Sequence, residues 1–188
     1  MSTIRRSRPK PAPRSTSGPR VFALLVLLAV VAGGTWYVLS RRPATAQYLS
    51  VYYTKQSDGT SLAAWRVSTR PAQAGETDAE HLHNTVLYAA VQAVAGPPSD
   101  VAAVRFPPGT HVQAVSVTGS TATVDLSKDV AQQVAGTFGE NGEFKSLVYT
   151  VTGVPGINAV QVTVNGATLE TLPGGHIELD QPLHRSDF

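Results

Sequence analysis

The chain has 188 residues, of which 42% are hydrophobic and 15% are charged, and it contains no cysteine. The length allows one domain with appendages, and the lack of cysteine excludes disulfides, thiolate catalysis, cysteine zinc sites and a lipidated cysteine. The net charge of +2 combines six basic residues and no acid in residues 1–20 with a net charge of −6 from Pro43 onward, and that acidic second part argues against nucleic acid as a partner of the folded region.

The N-terminal segment has the composition of a membrane anchor. Residues 1–20, rich in Pro, Ser and Arg, are predicted to form a disordered cytoplasmic tail. The uncharged run Val21–Leu39 is predicted to be a single transmembrane helix, because at about 1.5 Å per residue it spans roughly 28 Å, close to the thickness of a bilayer's hydrocarbon core. Six cations precede the run and two follow it, so the positive-inside rule predicts an extracytoplasmic domain after the linker 40–46. The alternative is a signal peptide cleaved near Ala46, which would leave a secreted domain.

Two strands and a helix are predicted to open the folded domain. Alternating apolar residues predict strands over 47–54 and 61–68. Thr77 and Glu80 have the spacing of a capping box, so a helix is expected over 78–95, where a Gly-Pro-Pro sequence stops it. Most of its apolar residues cluster on one face, as in a helix that lies on a sheet. That face comprises Leu82, Val86, Ala89, Ala90, Ala93 and Val94, widened by Leu87 and Val91, and the opposite face comprises His81, Asn84, Thr85, Tyr88 and Gln92.

The middle of the chain predicts a hairpin followed by a short helix. In residues 105–127, apolar side chains alternate on both sides of a tight turn at Gly119. Ser127 would then cap a short helix over 128–135. The glycine-rich stretch 136–142 is predicted to be a loop, and it lacks the Lys-Ser/Thr pair of a phosphate-binding loop.

The clearest helical pattern comes next, with spacing i, i+3, i+4, i+7. It consists of Phe144, Leu147, Val148 and Val151. Alternating valines then predict a strand over 160–164, and Asn165-Gly166 is typical of a type I′ hairpin turn. Leu169 and Leu172 are placed on the returning strand.

Helices and strands do not alternate regularly along the chain, which favours an α+β fold. We expect a largely antiparallel or mixed sheet of about four to six strands, with two to three helices packed on one face and one transmembrane helix before it. The domain is expected over residues 47–175, and residues 176–188 form a C-terminal tail without an assigned structure.

Several of these segments together resemble the GerMN domain, a bacterial sporulation and germination module. The resemblance extends from about Tyr48 to Leu172. It is carried by the segments Leu49–Tyr53, Val94–Pro97, Phe106–Thr110, Val115–Val117, Ala122–Ser127, Leu147–Thr152, Val154–Gly156 and Val160–Gly166.

The resemblance implies a small α+β module on the outer side of the bacterial membrane. Such domains occur in sporulation-associated lipoproteins and beside domains that act on peptidoglycan. The family has no established catalytic residues, so none is transferred to this chain. The sequence departs from the pattern in two respects, since it has a predicted transmembrane anchor in place of a lipoprotein cysteine and only one copy of the module.

No catalytic, cofactor-binding or metal-binding residue is predicted. The chain has no Gly-x-Ser-x-Gly elbow, and no exported lysine has a serine three positions before it. His81 and His83 are two positions apart, so on a helix they point about 200° away from each other and cannot share one metal ion. We expect His81 to be solvated and His83 to pack beside the start of the helix. The other three histidines are scattered along the chain; they are His111, His176 and His184. Any of them could lie close to Asp125 or Glu178 in the folded protein.

Two further patterns have a binding and a structural interpretation. Asp125 could bind a cation or cap the helix that begins at Ser127, and the cap is favoured. Four aromatic residues in the first two strands could line a sugar-binding surface, but packing on the sheet is favoured. They are Tyr48, Tyr52, Tyr53 and Trp65.

The sequence therefore predicts a non-enzymatic module, anchored in the bacterial membrane, that binds a protein partner or the cell-wall polymer. One alternative is an enzyme that modifies peptidoglycan or another envelope substrate, which would need a histidine and a carboxylate within hydrogen-bond reach in a cleft. Another is a structural module that oligomerises by pairing of sheet edges. No cofactor is expected.

Overall fold

The computed structural model describes residues 30–32, 34, 47–69, 71–132, 136–173 and 175–188. The predictions for residues 1–20 and 40–46, and most of the predicted transmembrane run, lie outside these residues. In the part that is described, no helix is both long and apolar enough to cross a bilayer. The chain forms two units, Met1–Ala44 and Thr45–Phe188, and the second contains all the elements that follow.

Within the described residues, this unit contains five strands, and they form two sheets. Strands β1 (Gln47–Thr54) and β2 (Leu62–Thr69) pair antiparallel. Strands β3 (Val112–Thr118), β4 (Thr121–Leu126) and β5 (Ala159–Val164) form the second sheet in that order. Strand β3 is antiparallel to β4, whereas β4 is parallel to β5.

Two α-helices pack against these sheets. Helix α1 spans Asp78–Ala95, and helix α2 spans Gly136–Val151. Short 3-10 turns occupy Lys128–Ala131 and Arg185–Asp187. The α+β class is confirmed, and the strand pairing is mixed, because α2 connects β4 to β5 and such a crossover brings two strands into parallel pairing. The prediction of one sheet is wrong, since the strands form two.

Helix α2 also explains why the first sheet ends at β1. The N–H of Tyr52 donates to the hydroxyl of Thr150 at 2.9 Å, and the N–H of Thr54 donates to the hydroxyl of Ser146 at 3.0 Å. The Thr54 hydroxyl in turn donates to the carbonyl of Gly142 at 2.9 Å. Side chains of a helix thus bind the strand edge that would otherwise pair with another strand.

The core lies between α1, α2 and the inner faces of both sheets. The predicted stripe on α2 is confirmed, since all four of its apolar side chains are fully buried. The predicted capping box of α1 is confirmed as well, with both hydrogen bonds between Thr77 and Glu80 present. The buried face of α1 comprises Val86, Ala89, Ala90, Ala93 and Val94.

The predicted loop over 136–142 is wrong, because α2 begins at Gly136. The glycines in this stretch suggested a loop, but one of them serves close packing. A Cβ atom on Gly142 would lie 3.0 Å from a methyl group of Val104, so only glycine lets this turn of the helix approach its neighbour.

The short helix after β4 differs from its prediction. A 3-10 turn ends at Ala131, and residues 133–135 lie outside the described part. Ser127 occupies the cap position without a capping hydrogen bond from its side chain. Its hydroxyl lies instead 3.2 Å from the N–H of His111 and 3.1 Å from the carboxylate of Asp129.

The predicted cap by Asp125 is also wrong. Its carboxylate accepts hydrogen bonds from the hydroxyl of Thr163 and the N–H of Gly166, both at 2.8 Å. It therefore fixes the turn after β5, where Asn165 and Gly166 have φ values of 52° and 78° as a type I′ turn requires. The predicted returning strand is reduced to one bridge between Val164 and Ala167.

The C-terminal tail packs on the domain. Leu183 exchanges two backbone hydrogen bonds with Val160, at 2.8 and 2.9 Å. Leu179 and Leu183 are 1% and 5% exposed. The tail thereby adds two leucines to the hydrophobic core.

Candidate functional site

The four aromatic residues of the first two strands lie on opposite faces of the first sheet. Tyr53 and Trp65 contact each other on the inner face, with ring centroids 5.7 Å apart. Tyr52 points to the outer face, where its ring meets that of Tyr149 edge-on at 5.9 Å. Tyr48 alone is largely exposed, at 63%. The structure does not bring the four rings onto one surface.

The histidine pair lies at the start of α1. The side chain of His81 is 23% exposed, so it is more buried than expected, and its Nδ1 lies 3.4 Å from a carboxylate oxygen of Glu76. That carboxylate also accepts a hydrogen bond from the amide of Asn84. His83 lines a polar cavity beside it. Within the described residues, no group of three potential ligands is placed to hold a metal ion.

Two of the other histidines contact residues close to them in the chain, whereas His176 contacts helix α2. A ring nitrogen of His111 lies 2.9 Å from the carbonyl of Gly109. The backbone N–H of His184 donates to Asp187, and that of His176 donates to Glu140, both at 2.7 Å.

A mainly apolar groove lies between β2 and α1, with a volume of about 500 Å³. Its walls are the end of β2 and a second stripe on α1, at spacing i, i+3, i+4, i+7. The lining residues are Ser68, Thr69, Asn84, Thr85, Leu87, Tyr88 and Val91. Val91 is 42% exposed, which makes this groove an accessible apolar surface beside a strand.

The open edge of β2 borders this groove. Because Tyr52 and Thr54 direct their N–H groups towards α2, their partners Ala64 and Leu62 belong to non-hydrogen-bonded pairs of the ladder. By the same alternation, Ala64, Arg66 and Ser68 direct their N–H and C=O groups away from β1. In the described residues, β2 pairs with no strand other than β1, so these groups are free to pair with an added strand.

One end of the groove meets a polar cavity at Asn84, which lines both. The polar cavity, of about 670 Å³, includes Glu80 and His83. Hydrogen bonds from Thr77 lower the pKa of Glu80 below its usual value, so its carboxylate is charged at neutral pH. The combined site is therefore apolar along α1 and acidic near the N-terminus of that helix.

A second group is a pair of acids on α2, of which Glu140 lies in the stretch that the sequence predicted to be a loop and Glu143 directly follows that stretch. Glu140 and Glu143 are 5% and 3% exposed. Burial and the neighbouring charge of Glu140 raise the pKa of Glu143 to about 8. One oxygen of Glu140 accepts the N–H of His176, and the other is buried without a hydrogen bond.

The groove was not identified from the sequence. The wheel of α1 placed Leu87 and Val91 at the border of the core face and Tyr88 among the polar residues. The size of these side chains could have indicated the groove. Alanine fills several core positions of α1, whereas the large residues occupy the positions beside that face.

Comparisons with known proteins identify the fold. No curated protein matches the sequence. A predicted lipoprotein from Clostridium perfringens shares 18% identity and a TM-score of 0.52, covering 76% of this chain and 89% of that one. The first GerMN domain of the sporulation protein GerM from Bacillus subtilis shares 22% identity and a TM-score of 0.53, covering 75% and 99%. The tandem GerMN domains of the same protein share 21% identity and a TM-score of 0.53, but the match covers 48% of that chain and 76% of this one.

A family model agrees with these structures. It carries the name Germane, is described as sporulation and spore germination, and matches residues 50–170. This range begins in β1, includes both helices and ends after β5. The chain therefore belongs to the Germane family of sporulation and spore germination domains and has the fold of a GerMN domain.

Proposed function

We propose that this protein is a non-enzymatic binding module, anchored in the bacterial membrane with its domain outside, that holds a partner protein in the groove between β2 and α1. The observation that carries the proposal is the open edge of β2 beside an accessible apolar surface. Backbone groups on such an edge bind an extended peptide, and side-chain pockets beside it select the sequence.

The groove favours a particular kind of peptide. Its apolar wall, formed by Leu87, Tyr88 and Val91, accepts aliphatic or aromatic side chains. The charged carboxylate of Glu80 lies at the other end and attracts a basic side chain. The partner segment is therefore an extended strand with alternating apolar residues and a cation near the end that faces the start of α1.

The envelope location rests on the sequence of the N-terminal segment. A long uncharged run with more cations before it than after it is typical of a single-pass anchor with an external domain. The structural similarity to a predicted lipoprotein supports attachment of the domain to a membrane. A part in sporulation or germination rests on the description of the family.

One observation favours an enzyme acting on an envelope substrate as a second candidate. His81 and Glu76 lie 3.4 Å apart beside a polar cavity, which is the arrangement of a base and its orienting group. If the protein cleaved peptidoglycan, the release of soluble fragments would stop in both His81→Ala and Glu76→Gln. If the protein is a binding module and not an enzyme, the wild type would release no soluble peptidoglycan fragments.

Site-specific cross-linking in the native bacterium tests the groove. A photoreactive residue at Ser68 of the full chain should capture one defined protein, whereas the same residue at Ser116, on the exposed side of β3, should not. Ala64→Pro removes an outward N–H, and Val91→Asp adds a charge to the apolar wall, so either change should abolish capture.

The controls separate loss of binding from loss of folding. Ala64→Ser keeps the N–H, and Ser116→Asp adds the same charge elsewhere, so both should retain capture at Ser68. Capture that persists in Ala64→Pro and Val91→Asp would show that the groove is not the binding site.

A further inference from the structure

The outer face of the first sheet carries a second surface, which shares Ser68 with the groove. Residues directly opposite in an antiparallel pair point to the same side, so Tyr48, Ser50 and Tyr52 share this face with their partners on β2. Those partners are Ser68, Arg66 and Ala64. Tyr48 is 63% exposed, and Arg66 is exposed as well. None of these six residues is acidic.

Helix α2 and the C-terminal tail extend the face. The guanidinium carbon of Arg185 lies 4.9 Å from the ring centroid of Tyr149 and 5.9 Å from that of Tyr52. Its side chain is held by the hydroxyl of Thr152 at 2.7 Å and the carbonyl of Tyr149 at 2.9 Å. This arginine is thereby fixed beside two tyrosine rings, with its position set before any ligand arrives.

The charge on this face is opposite to that of the domain. From Pro43 onward the chain has thirteen acidic and seven basic residues, yet the face combines Arg66 and Arg185 with no carboxylate among its strand residues. The carboxylate of Asp187, two residues from Arg185, accepts the backbone N–H of His184, and the two arginines outnumber it. The face therefore attracts anions although the domain as a whole is acidic.

We propose that this face binds an acidic polysaccharide of the envelope. Sugar rings would lie against the exposed ring of Tyr48 and the edge of Tyr52, and the carboxylate or phosphate groups of the polymer would meet Arg66 and Arg185. The small residues Ser50, Ala64 and Ser68 between them keep the surface flat enough for a chain of sugars. This inference shares with the proposed function only the envelope location, and it does not depend on the groove.

The composition of the face favours a polysaccharide over a membrane surface. Segments that bind membranes combine cations with side chains such as Trp, Phe and Leu, which enter the lipid. Between Tyr48 and Tyr52, and between Ala64 and Ser68, the outward residues include no large aliphatic side chain. A surface of hydroxyls, tyrosines and arginines suits a hydrated, anionic sugar chain better.

Binding of hyaluronate, an acidic polysaccharide, by the full chain in phosphatidylcholine nanodiscs tests the proposal, with neutral dextran as the reference polymer. We expect hyaluronate to bind and dextran not to bind. Arg66→Glu removes charge-assisted hydrogen bonds and should weaken binding roughly tenfold or more. Tyr48→Ala should weaken it several-fold, because it removes the exposed ring.

Two controls make the outcome decisive. Lys128→Glu changes the net charge by the same amount at an exposed position elsewhere and should leave hyaluronate binding unchanged. Val91→Asp disables only the groove and should also leave hyaluronate binding unchanged. Equal losses in Arg66→Glu and Lys128→Glu, no binding of hyaluronate, or attachment to phosphatidylglycerol liposomes alone would each overturn the proposal. None of these results would affect the cross-linking test of the groove.

Discussion

Glu143 is an acidic residue of α2 that is 3% exposed. Its pKa is raised to about 8 from 4.5, so the folded protein binds this proton more tightly than the unfolded chain does. The resulting stabilisation is complete below about pH 4.5 and is lost as the pH rises towards 8. Above that pH, folding must bury a second charge beside Glu140.

Glu143→Gln should therefore remove a pH dependence. Between pH 5 and pH 8.5 the free energy of unfolding of the wild type should fall by about 2–4 kcal/mol relative to that of the variant. Urea denaturation at several pH values measures this difference. Glu178→Gln, an exposed change of the same chemistry, should keep the wild-type slope, and an unchanged slope in Glu143→Gln would contradict the assignment.

At the scale of elements, α2 and β1 are joined by side-chain hydrogen bonds to the strand's backbone. On the helix, the hydroxyls of Ser146 and Thr150 accept hydrogen bonds from backbone N–H groups of the strand. Both side chains are buried, at 4% and 0% exposure. Without these hydroxyls, the two N–H groups of the strand would be buried without a hydrogen-bond partner. Such burial costs about 1–3 kcal/mol for each group.

Thr150→Val has nearly the same shape but no acceptor for the N–H of Tyr52. We expect it to lower the free energy of unfolding by about 1–3 kcal/mol, measured by chemical denaturation. Thr150→Ser retains the hydroxyl and should lose less. A Thr150→Val variant as stable as the wild type would show that this hydrogen bond contributes nothing to stability.

The sequence predicted the elements with strong local patterns. The capping box at Thr77, the stripe on α2 and the Asn165-Gly166 turn each depend on residues close together in the chain, so periodicity and turn chemistry suffice. The glycines at the start of α2 misled because the close packing of Gly142 against Val104 leaves no local signal. Asp125 misled for a similar reason, since its partners are about forty residues away.

The candidate site was less predictable than the fold. The groove and the outer face depend on which strands pair and in which register, and a single sequence does not contain that information. Tyr48 and Arg66 become neighbours on a surface only because β1 pairs with β2. Local periodicity also cannot show that Val91 faces an open groove and not a second layer of core.

For the whole molecule, the C-terminal tail is an integral part of the domain. A chain that ends after Gly175 lacks Leu179 and Leu183, which are nearly fully buried, and the backbone pair with Val160. We expect the loss to lower the free energy of unfolding by about 3–6 kcal/mol, from about 1.5–3 kcal/mol for each leucine. Thermal unfolding measures it.

A chain that ends after His184 is the matched control. It keeps both leucines and their contacts and loses only the last turn, so its midpoint of unfolding should lie much closer to that of the full chain. If both truncations had the same effect, the last turn and not the leucines would secure the tail.

The contact between β1 and α2 also determines when the domain can be completed during synthesis. Thr54 and Ser146 are 92 residues apart, and Tyr52 and Thr150 are 98 apart. Pairings of such high contact order form slowly, because a long loop must close before they stabilise anything. As the chain emerges N-terminus first, the β1–β2 hairpin is available long before the helix that covers its edge. For that interval the nascent chain exposes both edges of one ribbon, and the folding of this domain must then compete with association of unfinished chains.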